Sequence, residues 1–417
     1  MKLKFLPLSL LGSCALSLLT ASADDWPQWR GVLRDGHAAG TLTALPKELQ
    51  PAWRISIGPG FSSPVVSAGK LIYLDEQDKK ETAHLRDAAT GKEIWSAPFA
   101  DAVGDEWGNG PRSTPFIDGD RVYVQSCKGE FCCLKLADGK KLWSISFARD
   151  YGIQFVGSKA GEGTAARRGN NGSGVVDGDR VYVPVGNPAG ASIVCFHKLT
   201  GKELWKSLND EAAYSSFVIA TLAGEKQLVA FTADALVGLD LESGRMLWRV
   251  PFKTGAKRHA ASPVIIGDTV TVNSQTIGLV CTKISKNGAT WKAAETWANK
   301  PLKINLATPV LVGGHLYSQG VNKDYVCVEA ATGELKWSQP GFGKGNKDYA
   351  STIAFGNNLL VLFESGELVL LAADSAKYTE LGRMQVCGNT WSHPAFADGR
   401  LFVRDGRELL CLKLDVK

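Results

Sequence analysis

The sequence predicts an all-β chain, an eight-bladed β-propeller of four-stranded antiparallel blades whose ring is closed by an N-terminal strand completing the last blade. Three observations lead there. A phrase with Gly four residues before Trp recurs at intervals of roughly 40 to 60 residues, the signature of an array of similar units. A glycine turn flanked by β-branched residues precedes the copies, which is a hairpin signal. An orphan Trp strand stands before the first unit, while the last unit ends without one.

The chain opens with Lys2 and Lys4, an apolar run from Phe5 to Leu19, and Ala21-Ser22-Ala23. This reads as a secretory signal over residues 1–23, cleaved after Ala23, and places the protein in the periplasm or outside the cell. A lipoprotein signal ending at Cys14 is the rival, disfavoured because apolar sequence continues past that cysteine. No other stretch reaches transmembrane length. Residues 24–50 form an arm whose Trp26 and Trp29 lie outside the repeat. Two exposed indoles would invite aggregation, so the arm is expected to pack on a propeller face.

Residues 51–417 hold the repeat. The orphan strand runs from Pro51 to Ile57 around Trp53. The Gly–Trp phrase appears as Thr90-Gly91-Lys92-Glu93-Ile94-Trp95, then at Gly139–Trp143, Gly201–Trp205, Gly244–Trp248 and Gly333–Trp337. A degraded copy lies near Asn287-Gly288, followed by Trp291 and Trp297. First strands are expected to start near Ser63, Thr114, Gly174, Ser216, Ser262, Thr308, Ser351 and Ser392. The segment from Ser144 to Gly172 is an insertion with Gly161, Gly163, Gly169, Arg167 and Arg168, either a functional loop or a plain surface loop. Asp101–Gly110 is rich in Gly and acid and carries Trp107.

The Thr-Gly-Lys-Glu-x-Trp phrase resembles the repeat of pyrroloquinoline-quinone (PQQ) propeller proteins, found in quinoprotein alcohol dehydrogenases and in BamB-type outer-membrane assembly proteins. Asp25-Trp26-Pro27-Gln28-Trp29-Arg30-Gly31 and Gly110-Pro111-Arg112-Ser113-Thr114-Pro115 resemble a group of exported PQQ-like repeat proteins from planctomycetes and their relatives. The resemblance implies that Trp and Gly dock neighbouring blades, here through Trp53, Gly91, Trp95, Gly139, Trp143, Gly201, Trp205, Gly244, Trp248, Gly333 and Trp337. It also raises Cys132-Cys133, since the alcohol dehydrogenases stack an adjacent-cysteine disulfide on the quinone. Adjacent strand residues point to opposite faces, which disfavours that role here. Cys133, Cys195, Cys281, Cys327 and Cys411 occupy one equivalent position in different blades and are expected to remain unbridged, as small apolar packing residues.

Function is sought where first strands begin, because a propeller brings those positions to a funnel at its axis. The candidate ligand site is Arg112, Asn170, Asn171, Tyr214, Arg258, His259, Asp348, Tyr349 and Trp391. With one acid among them, a funnel of positive character is expected, suited to a polar or anionic small molecule. The expected cofactor set is empty, PQQ with calcium being the alternative, and no catalytic or metal residue is assigned. A net charge of +5 without basic runs gives no case for nucleic acid. Six histidines, without a nucleophile elbow or zinc motif, give none for a hydrolase. The leading reading is a non-catalytic binding or assembly scaffold of the cell envelope with a protein partner. A PQQ-dependent alcohol or sugar dehydrogenase is the alternative, and a carbohydrate-binding propeller using Trp107, Trp391 and Tyr349 is a third.

Overall fold

The structure, a computed structural model, describes residues 25–105, 107–153, 170–255, 257–342 and 349–417. Nearly all of the described strands belong to eight antiparallel blades of four, with one short parallel strand of the arm added to the seventh. Blade 1 runs outward through Val65–Ser67, Lys70–Gln77, Lys80–Asp87 and Glu93–Asp101. Blades 2 to 8 begin at Phe116–Asp118, Val175–Asp177, Val218–Leu222, Val264–Ile266, Val310–Val312, Ala350–Phe355 and Ala395–Ala397. First strands touch between blades 8 and 1, 1 and 2, and 6 and 7, and residues leading into the first strands of all eight blades line one cavity, so the first strands are the innermost. The strand Trp53–Ser56 is the outer strand of blade 8, with Trp53 opposite Cys411. The N-terminal strand therefore closes the ring and leaves no open end.

The seams between blades explain the repeat. Trp95, Trp143, Trp205, Trp297, Trp337 and Trp53 lie opposite Leu85, Cys133, Cys195, Cys281, Cys327 and Cys411 of the adjacent third strand. A thiol is small enough to sit beneath an indole. Each of these indoles reaches into the next blade. Trp53 donates to the Ala88 carbonyl at 3.0 Å, Trp95 to Leu136 at 2.8 Å and Trp337 to Asp374 at 2.8 Å. Trp143, Trp205 and Trp297 donate likewise to Lys198, Leu241 and Ala330, each at 3.1 Å. A Cβ on Gly91 would stand 2.7 Å from the Trp53 ring, and one on Gly139 2.8 Å from Trp95. Both glycines also hold φ near +70° (+72° and +71°), so only glycine fits them on two counts.

Two seams depart from this pattern. Trp248 packs in a cluster with Val270, Val272 and Ile284 of the next blade, but its Nε1 donates within its own blade, to Gln227 at 2.5 Å. The next blade carries an extended hairpin there, Gly278–Asn287 and Thr290–Asn299, in place of the usual turn. Gly333 is instead covered by Trp297, which the sequence placed only in a degraded copy. In blade 7 the position opposite Leu370 is Gly382, and Leu45 of the arm packs beside it.

All eight described cysteines are free thiols. Cys132 packs in the apolar cluster between blades 1 and 2, and Cys133 in the one between blades 2 and 3. Burial pushes both thiols up to about 11. Of the insertion, Ser146 caps a short helix, Phe147–Tyr151, whose Phe147 is buried against Gly129. Its Gly161, Gly163, Arg167, Arg168 and Gly169 lie outside the described residues.

The arm crosses the axis on the face opposite the strand starts and bonds to blade after blade. Trp26 exchanges two backbone hydrogen bonds with Val66 of blade 1, and Pro27 accepts from Ile117 of blade 2. Arg34 donates to the Gly174 and Phe217 carbonyls of blades 3 and 4. Trp29 donates to Ser262 of blade 5 at 3.0 Å, and Arg30 to the Pro309 carbonyl of blade 6 at 2.9 Å. Gly36 accepts from Ala354 of blade 7, and His37–Ala38 pairs there as a parallel strand. Trp26 and Trp29 both pack on His393 of blade 8. Burial lowers Arg30 to about 10 and Arg34 to about 9, so both stay cationic at neutral pH, their N–H groups donating to backbone carbonyls. The arm is thus a plug, and the axial channel is blind at that end.

Candidate funnel site

Above the plug lies a cavity of about 540 Å³ whose lining includes residues from all eight blades and Trp29 of the arm. Its walls follow a two-residue rule. Phe61 and Ser63, Arg112 and Thr114, Asn171 and Ser173, Tyr214 and Ser216, and Arg258 and Ala260 all face it. In extended chain, alternate side chains share a face, so the residue between each pair turns away. The hydroxyls on this wall also tie blades together. Ser63 accepts from His393 N–H at 2.8 Å, and Ser173 from Thr114 N–H at 2.9 Å. Ser216 accepts from Ser173 N–H at 3.1 Å.

Arg112, Asn171, Tyr214, Arg258, Tyr349 and Trp391 of the expected site converge on this cavity. Asn170 and His259 do not. Asn170 is buried, its carbonyl accepting from Ser113 and Gln125. His259 is fully buried, stacked 4.0 Å from Phe231, with Nδ1 2.7 Å from the Thr232 carbonyl. Burial lowers its pKa, so it is a neutral seam residue and adds no charge to the funnel. Asp348 lies outside the described residues. The described lining holds two guanidinium groups and no carboxylate. Arg112 lies over the Phe61 ring at 5.1 Å and donates to the Gly108 carbonyl at 3.3 Å.

The sequence reading missed Trp29 as the floor, and Gln275 and Val321 as walls. Gln275 and Val321 come from turns between second and third strands, which return to the funnel face as the first-strand starts do. It also missed Glu364, buried behind Trp391 and accepting its Nε1–H at 3.0 Å.

Eight closed blades with forward Trp docking and an axial funnel define a PQQ-like β-propeller repeat protein. A family model described as outer membrane protein assembly factor BamB matches residues 38–183 and 79–305, and the chain belongs to that family. It is 21% identical over 297 residues to the outer membrane protein assembly factor BamB of Shewanella oneidensis, covering 68% of this chain and 70% of that one. It is 24% identical over 303 residues to the quinoprotein ethanol dehydrogenase of Pseudomonas aeruginosa, covering 65% of this chain and 45% of that enzyme. The solved BamB of Moraxella catarrhalis matches with a TM-score of 0.58 at 12% identity, over 88% of this chain and 100% of that one, a likeness of fold.

Proposed function

We propose that the protein is an exported, non-catalytic binding and assembly scaffold of the cell envelope that acts on a protein partner. Membership of the BamB family carries this reading. No helix among the described residues is long and apolar enough to cross a membrane, which fits a protein held in the periplasm.

The funnel chemistry supports the non-catalytic part. A quinone dehydrogenase needs a hard cation, which takes six to eight oxygen ligands, carboxylates among them. The described lining presents Arg112 and Arg258 and no carboxylate, a poor fit for calcium beside PQQ. Cys132 and Cys133 are turned into separate seams, away from the funnel.

Fractionation and N-terminal sequencing test the export reading. The expected result is a periplasmic protein starting at Asp24 that cross-links to outer-membrane assembly components. Purified protein given PQQ and calcium should not reduce dye with alcohols or sugars. Dye reduction dependent on both additions would replace the scaffold by a dehydrogenase.

A further inference from the structure

A second cavity, of about 480 Å³, opens beside the funnel at the loops of blades 1, 7 and 8. The two cavities share three walls, Phe61, Trp107 and Trp391. Ring centroids are 5.3 Å apart for Phe61 and Trp391 and 5.8 Å for Trp107 and Trp391. Funnel and side cavity thus adjoin across an aromatic ridge, and together they make up the two ends of a cleft. Trp107 is 37% exposed, so part of its ring is open to a ligand.

The two ends differ chemically. The funnel end carries Arg112 and Arg258, with Asn171, Asn305 and Gln275. The side end carries the carboxylates of Glu364 and Asp405, with Asn109 and Asn389. Both acids are buried and already shape the wall. Glu364 holds the Trp391 indole, and Asp405 accepts from Gly388, Arg407 and Glu408 N–H groups at 2.7 to 2.8 Å. The cleft is thus largely preformed, which lowers the ordering cost of binding.

We propose that this cleft binds an oligosaccharide carrying uronic acids, with a carboxylate at the Arg112–Arg258 end and a pyranose ring stacked on Trp107. A sugar ring offers an apolar C–H face for an aromatic wall and a rim of hydroxyls for planar amides and carboxylates. Guanidinium groups pair with carboxylates by two parallel hydrogen bonds, which selects an acidic sugar at the funnel end. An extended peptide fits less well, because the arm occupies the axial edges of the first strands of blades 1 and 2, at Val66 and Ile117. The proposal does not rest on the scaffold reading. Loss of saccharide binding with partner cross-linking intact, or the reverse, separates the two.

The test is calorimetry and tryptophan fluorescence on the mature protein. The probes are hexameric oligogalacturonate and alginate oligomers, neutral cellohexaose, and an acidic hexapeptide. At least one uronate hexamer should bind about tenfold more tightly than cellohexaose at low salt, a difference of about 1.4 kcal/mol. Trp107→Ala should weaken both saccharides at least tenfold, and Trp107→Phe should restore most of the loss. Arg258→Ala should bring the uronate down to the level of cellohexaose. Trp107 and Arg258 are exposed, so both variants should keep the wild-type Tm. Failure of both uronates to bind, binding indifferent to Trp107→Ala, or preference for the peptide would each overturn the proposal.

Discussion

Between blades 1 and 2, Trp95 lies on Gly139 and donates to the Leu136 carbonyl. Between blades 7 and 8 the corresponding position is Gly382, and Leu45 from the arm packs beside it within a cluster that includes Leu370, Phe396 and Leu410. The first seam is sealed by two positions of one repeat. The second is sealed by a residue more than 300 positions away in sequence, outside any repeat. A degraded unit is therefore tolerated where another segment supplies the missing apolar volume. Blade 4 shows a third solution, with Trp248 turned onto Gln227 while the next blade lengthens its hairpin.

The sharpest way to break this comparison is to remove the repeat's own seal. Trp95→Ala should cost about 3–5 kcal/mol in denaturant unfolding, the range for a large buried aromatic. A loss under about 1 kcal/mol would mean that seam is held by something else. Gly139→Val should cost about 3 kcal/mol, because the new side chain meets the indole and φ is positive. Leu45→Ala should cost about 2 kcal/mol, reflecting its partial exposure. Equal losses at Trp95 and Leu45 would show that the arm is as strong a seal as the motif.

Acid should separate the two kinds of seam further. Burial, aided by the charge of Arg30, lowers His393 to about 3, and this ring packs against Trp26 and Trp29 of the arm. A folded pKa below the unfolded value near 6.5 means the unfolded chain binds more protons between them. Stability is then fully present above about 6.5 and falls as pH drops towards 3, by about 2 kcal/mol at pH 5. His393→Gln should flatten the dependence of Tm on pH between 5 and 7, whereas Trp95→Ala should leave its slope unchanged. The smallest effect is expected at Gly288, where φ is +58° but nothing lies within 4 Å of a new Cβ. Gly288→Ala should cost about 1 kcal/mol, from backbone strain alone.

The blades and their closure were legible because turn chemistry and the Trp phrase act locally and repeat. Trp53 could be assigned to the last blade by counting strands, without knowing any contact. The funnel was less legible. Arg258 and His259 are neighbours in a segment that precedes its strand, so sequence did not fix which of them faces the axis. Hydrogen bonding of His259 to Thr232 settles it in the structure. Trp29 was invisible as a floor because the arm shares no register with the repeat. The docking role of Trp297 was hidden for a related reason: the extended blade 5 hairpin separates this indole from the glycine of its degraded copy.

The arm and the closing strand share one stretch near the N-terminus, but the arm begins on nearby Val66 and Ile117 whereas the closing strand pairs only with the last strand of the chain. Arg54 pairs with Glu408, 354 residues on, and Thr41 bonds to Lys417 at the end of the chain. Contacts of such long sequence separation form slowly, since loop closure must precede any reward. The closing strand at Trp53–Ser56 is therefore expected to be ordered late, although it is synthesised well before its partner. Until then the third strand of blade 8 presents a bare edge. The same design makes completion of the fold a check on chain integrity. A polypeptide cut short before Glu408 lacks the strand with which Trp53–Ser56 pairs, so its ring is left with an unpaired strand edge.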